Sequence, residues 1–167
     1  MVRRGPRSGI VLGFPLVLGV PLVVLLLFGG AAAAAAPAAS AASAAKSLAA
    51  DVIARTNAIR KEAGCSPVRA DERLRSIAQE HASDMARHRY LEHEDRDGTS
   101  SDERIGSAGY GNVTGENLAN GYPGAAEVMD VWMRSAGHRA NIEDCAFTHI
   151  GVGYAANGHY WVQDFGG

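Results

Sequence analysis

Apolar positions recur along this chain first at helical and later at strand spacing. Val52, Thr56, Ile59 and Ala63 share one helical face, so a first helix is expected over 47–63, with Gly64 as its stop. Asp71 stands where an N-cap belongs, and Leu74, Ile77, Ala78, His81 and Met85 carry a second stripe to about Arg89. Ala125, Val128, Met129 and Trp132 form a third stripe, opened by Pro123 and ended by Gly137. A short helical turn is expected to carry His138 to Glu143. Trp132, Tyr160 and Trp161 are expected in the core.

The period then drops to two. Ile150, Val152 and Tyr154 alternate with small residues, and Tyr160, Val162 and Asp164 alternate with Trp161, Gln163 and Phe165. Asn157-Gly158 between the two runs signals a hairpin. The stretch from Glu92 to Gly121 is rich in Gly, Asp and Ser and reads as loop with one short strand. Within it Asp95, Asp97 and Gly98 echo the start of a calcium loop, but Gly106 stands where that loop needs its bidentate glutamate, so a solvated loop is expected. Helices first and antiparallel strands last make the class α+β.

Residues 1–46 are of a different kind. Arg3, Arg4 and Arg7 precede an apolar run from Ile10 to Phe28, and an Ala-rich, Ser-containing tract follows. A basic head, an apolar body and small residues after it form a secretory signal peptide, with an uncleaved membrane anchor as the alternative. The Ala-rich tract is expected to be a flexible spacer. The single folded domain is then 47–167. Taking Arg3, Arg4, Arg7 and Lys46 from the 16 Lys and Arg leaves 12 against 18 Asp and Glu, a net charge near −6. An acidic domain without a basic cluster excludes a nucleic-acid partner and electrostatic docking on an anionic membrane. In an exported chain the two cysteines, Cys65 and Cys145, read as a disulfide closing a long loop, against the alternative of two free thiols.

The chemistry concentrates at His93, Glu116 and His138, two imidazoles and a carboxylate from three separate segments. Imidazole is the commonest nitrogen ligand of zinc, and a nearby carboxylate can orient a ring or act as a base. Ser135, three residues before His138, admits a weaker Ser–His arrangement, for which no orienting acid is evident. His81 lies in an apolar stripe and is expected as a hydrogen-bonded core histidine. His88, His149 and His159 are expected near the surface.

The words around these residues run in a distinctive order: Asn57-Ala58-Ile59-Arg60, Ala78-Gln79-Glu80-His81, His93, Arg104-Ile105, Gly115-Glu116-Asn117-Leu118, Trp132, Gly137-His138-Arg139, and Tyr160-Trp161-Val162-Gln163-Asp164-Phe165. From about Leu48 to Phe165 the chain resembles the CAP superfamily of cysteine-rich secretory, antigen 5 and pathogenesis-related proteins, in its compact bacterial secreted branch. The resemblance implies a three-layer α–β–α sandwich around a central antiparallel sheet. It implies a cleft lined by His93, Glu116, Ser135 and His138, with His93 and His138 as ligands of a divalent cation such as zinc. The family pattern often has a second glutamate where this chain has Ser135, which removes one carboxylate. Asn57 and Arg60 then read as structural, Asn57 tying backbone together and Arg60 pairing with a carboxylate.

The expectation is a secreted, monomeric binding module for a small-molecule, lipid or peptide-like ligand. Whether it is an enzyme stays open. The alternatives are a metal-dependent hydrolase of peptide or cell-wall material with Glu116 as its base, and a structural envelope protein.

Overall fold

The structure, a computed structural model, describes residues 35–167, so the leader with its signal-or-anchor reading lies outside the described residues. The elements in order are α1 (Ala35–Glu62), β1 (Arg69–Ala70), α2 (Glu72–His88), α3 (Ser101–Ser107), β2 (Thr114–Ala119), α4 (Ala125–Arg134), α5 (Ala136–Glu143), β3 (His149–Ala155) and β4 (Tyr160–Gly166). The strands form one sheet in the order β1-β3-β4-β2. Its three long strands are antiparallel, and two-residue β1 pairs parallel with β3 at the edge. Helices α2 and α3 cover one face, and α1, α4 and α5 the other. Among the described residues no helix is long and apolar enough to cross a membrane.

Helix α1 begins twelve residues before the expected start at Ser47, so the Ala-rich tract is helical from Ala35 on rather than a flexible spacer. Alanine has the highest helix propensity, and extending an existing helix requires no new nucleus. Ala45 and Leu48 pack against the core. The buried face of α1 is Ala49, Val52, Thr56 and Arg60, while Ala63 lies past the helix end and is exposed. Arg60 does not pair with a carboxylate. Its guanidinium donates to the carbonyls of Ser66, Ile142, Asp144 and Phe147, because a planar group with five donors is satisfied by converging backbone oxygens. Asn57 ties backbone as expected, donating to Val68 O and accepting from Val68 N.

Helix α2 starts as its sequence indicates: Asp71 accepts from the backbone N–H groups of Arg73 and Leu74. It lies directly on β3, whose Gly151 and Gly153 leave no room for a side chain. A Cβ at Gly151 would stand 2.2 Å from the Leu74 carbonyl carbon, and one at Gly153 2.3 Å from that of Ala78. Every residue of β4 is buried because both sheet faces are covered. The β3–β4 connection is four residues, Ala156–His159, closed by left-handed Gly158 and His159.

Two local readings change. The segment 92–121 holds helix α3, started by a capping box in which Ser100 and Glu103 satisfy each other's backbone N–H groups. The α4 stripe ends at Arg134 rather than at Gly137, with extended Ser135 joining α4 to α5, so Gly137 falls inside α5. A buried polar chain then locks α5 to the sheet: Gln163 donates to Thr56, Asn117 to Gln163, and Asn141 to Asn117. Asn141 also donates to the Glu116 carbonyl, and Asn117 to the His138 carbonyl.

Candidate functional site

Strand β2 is the sheet edge on which the candidate chemistry sits. Alternation sends Glu116 toward the α2–α3 face and Asn117 toward the α5 face. Glu116 is held by two partners: Oε1 lies 2.7 Å from His93 Nδ1, and Oε2 accepts from Arg104 Nη2 at 2.7 Å. The Glu116 side chain is 1% exposed and the His93 side chain 56%. The pair thus has a buried acid and an outward ring.

Arg104 organises the interior. Besides Glu116 it donates to the carbonyls of His93 (2.9 Å) and Thr99 (3.2 Å) and pairs with Asp95 at 3.2 Å. Asp95 in turn meets His81 Nδ1 at 2.7 Å, and His81 Nε2 meets the Glu92 carbonyl at 3.0 Å. His81 is therefore the hydrogen-bonded core histidine its stripe indicates, and it fastens the loop carrying His93. His88 is exposed, and His149 and His159 are partly exposed beside Tyr110 and Tyr154 respectively.

The electrostatics follow from this wiring. The hydrogen bond to Glu116 holds the His93 imidazole above its ordinary range, against a weaker opposing effect of burial. Burial alone would raise Glu116, but the His93 bond and the Arg104 charge outweigh it and hold the carboxyl below the usual range. His138 is pulled down by burial and then by the charge of His93. His138 arrives from α5, on the opposite sheet face from the Glu116 side chain. With Glu116 ionised, His93 Nδ1–H donates to it, and His93 Nε2 is the nitrogen left for other partners.

The expected site residues thus divide. His93 and Glu116 touch, whereas among the described residues no side-chain hydrogen bond joins His138 to either of them. Ser135 forms the α4–α5 junction, and no hydrogen bond joins its hydroxyl to His138. Cys65 and Cys145 form the disulfide, 80 residues apart in sequence with Cα atoms 5.0 Å apart. His93 lines a depression of about 470 Å³ with Tyr90, Glu92 and Asp95. A larger cavity of about 640 Å³ lies between α2 and α3, bordered by His81, Asp95 and Arg104. Among the described residues no group of three or more His, Cys, Asp or Glu side chains is placed to hold a metal ion. Glu116 is buried, and each of its oxygens already has one hydrogen-bond partner. Sequence reasoning gave no role to Arg104. The capping box Ser100-x-x-Glu103, which announces the helix carrying it, was the available signal.

The family model of the cysteine-rich secretory protein family, CAP, matches residues 53–165. YkwD of Bacillus subtilis is 40% identical over 115 residues, which is 68% of this chain and 45% of that protein. The Bacillus subtilis membrane protein YlbC is 29% identical over 118 residues, 68% of this chain and 33% of that one. The chain thus spans less than half the length of these relatives. Among solved structures, an extracellular SCP-domain protein from Bacillus anthracis superposes with a TM-score of 0.68 at 24% identity, covering 73% of this chain and 41% of that one. An outer surface protein from Borrelia burgdorferi gives 0.62 at 24% identity, covering 68% and 87%. These likenesses show the fold, an α–β–α sandwich. With a family model spanning most of the described residues, the chain belongs to the cysteine-rich secretory protein (CAP) family.

Proposed function

We propose that this protein is an exported binding module whose ligand-facing groups are the imidazoles of His93 and His138. The observation that carries the reading is the His93–Glu116 bond. It engages Nδ1 at 2.7 Å and leaves Nε2 of a largely exposed ring for a partner outside. A carboxylate behind an imidazole is the arrangement that orients and strengthens a metal-ligating histidine. His138, held below its ordinary range, offers a second neutral nitrogen. This donor set fits a divalent cation such as zinc, bound by the two rings and completed by water or by polar groups of a small or peptide-like ligand. The cation would supply Lewis acidity to whatever it binds. The chain's own residues orient the rings and keep Glu116 fixed.

Export is supported by the basic-then-apolar leader and by the extracellular and surface origin of the structural neighbours. Binding is favoured over hydrolysis by the state of Glu116. A general base for neutral pH works best with a raised carboxyl that reaches the reacting water, whereas Glu116 is lowered and buried behind His93 and Arg104.

Calorimetric titration with zinc near neutral pH tests the reading. Saturable one-site heat in the wild type, lost in His93→Ala and in His138→Ala, is the expected result. Absence of heat, or heat unchanged in both variants, would overturn it.

A further inference from the structure

A second carboxyl lies beside Glu116 with no donor to meet it. Asp164 stands opposite Glu116 in the β2–β4 register and opposite Gly151 in β3. It is fully buried, and neither of its oxygens has a hydrogen-bond donor among the described residues. The charged groups around it are Glu116 from β2, Arg104 from α3 and Asp95 from the α2–α3 loop, with His81 of α2 acting on Glu116. β3 presents only Gly151 at this register. Arg104 directs its terminal nitrogens to Glu116, Asp95 and the carbonyls of His93 and Thr99. An ionised Asp164 would be a buried charge without a hydrogen bond, next to a second carboxylate.

We infer that Asp164 is held as a neutral carboxylic acid whose O–H donates to Glu116, so that one proton serves two facing carboxyls. Burial first, and then the negative charge of Glu116, push Asp164 well above the ordinary carboxylate range, in agreement with this geometry. Glu116 then has three donors: His93, Arg104 and Asp164. Asp164 is a positioning residue, acting on His93 through Glu116. When its proton leaves at alkaline pH, two adjacent buried carboxylates repel and the support of His93 loosens. The shared proton belongs to the protein without any cation and does not depend on zinc binding.

The test is a carbon NMR titration of the side-chain carboxyls of the metal-free wild type, with Asp164 assigned by Asp164→Asn or, if that variant does not fold, through its backbone. The expected Asp164 resonance is that of a protonated acid at neutral pH, unmoved where exposed aspartates ionise. A carboxylate resonance at neutral pH, as a water bridge to the unpartnered Arg104 Nε would produce, overturns the inference. Asp164→Asn keeps a donor toward Glu116 and should leave the His93 ring titration in place, whereas Asp164→Val should move it. Equal movement in both would also overturn it. Zinc heat absent while the acid resonance is present would strike the cation reading alone.

Discussion

Arg104 and Glu116 meet inside the protein, Nη2 donating to Oε2 across 2.7 Å with side chains 8% and 1% exposed. The same guanidinium holds the His93 carbonyl, so one side chain sets both the acid and the backbone of its imidazole partner. Removing one partner of a buried pair leaves the other unpaired, which costs about 3–5 kcal/mol. Arg104→Ala should lower unfolding stability in urea by that order. Arg104→Lys, which keeps charge but not the forked donors, should fall between. An unchanged midpoint in Arg104→Ala would refute the assignment.

Gly151 marks a close approach of α2 to the sheet. A methyl group there meets the backbone at Leu74 rather than a flexible side-chain end, so α2 must move. Gly151→Ala should destabilise by about 1–3 kcal/mol or more, the cost of overpacking a close-packed core. Gly137→Ala, whose Cβ would meet nothing within 4 Å inside α5, should stabilise slightly or be neutral. Thermal melts of the two variants distinguish the outcomes.

Acid should act through the α2 cap. Burial alone would raise Asp71, but hydrogen bonds from Arg73, the Leu74 N–H and Tyr110 lower it to about 2. A carboxyl lowered on folding contributes stability that is present above its unfolded value, near 3.8, and is lost as pH falls through about 2. Asp71→Asn keeps a capping oxygen without the titration, so its stability should decline less between those pH values than that of the wild type. Equal acid slopes in the two proteins would contradict this.

The disulfide and Arg60 fasten the same segment. Cys65–Cys145 closes an 80-residue separation, while Arg60 holds the carbonyls of Ile142, Asp144 and Phe147 beside it. Removing the bridge in Cys65→Ser/Cys145→Ser should cost about 2–5 kcal/mol through the unfolded chain. The Arg60 bonds should keep the variant folded, with His138 still on α5. A collapse of secondary structure by circular dichroism at room temperature would show the clamp to be insufficient.

The sequence made the scaffold legible wherever one face alone decides an element. The α2 stripe with its Asp71 cap, the Trp132 stripe and the two final strands are of this kind. What stayed hidden depends on partners distant in sequence. Arg60 looked like half of an ion pair because nothing local shows three carbonyls converging from residues 142–147. Arg104 sat in a stretch read as loop, although Ser100-x-x-Glu103 announced a helix there. Asp164 shares its phase with Tyr160 and Val162, which put a carboxyl on a buried face, but its lack of a donor needs the whole neighbourhood of the sheet.

Glu116 fixes His93 so that its outer nitrogen is free, and ring-nitrogen NMR of the histidines reads this directly. In the protein without cation, His93 should carry its proton on Nδ1 when neutral, and added zinc should move the His93 and His138 resonances together and saturably. A neutral His93 protonated on Nε2, or rings that zinc leaves unmoved, would contradict it.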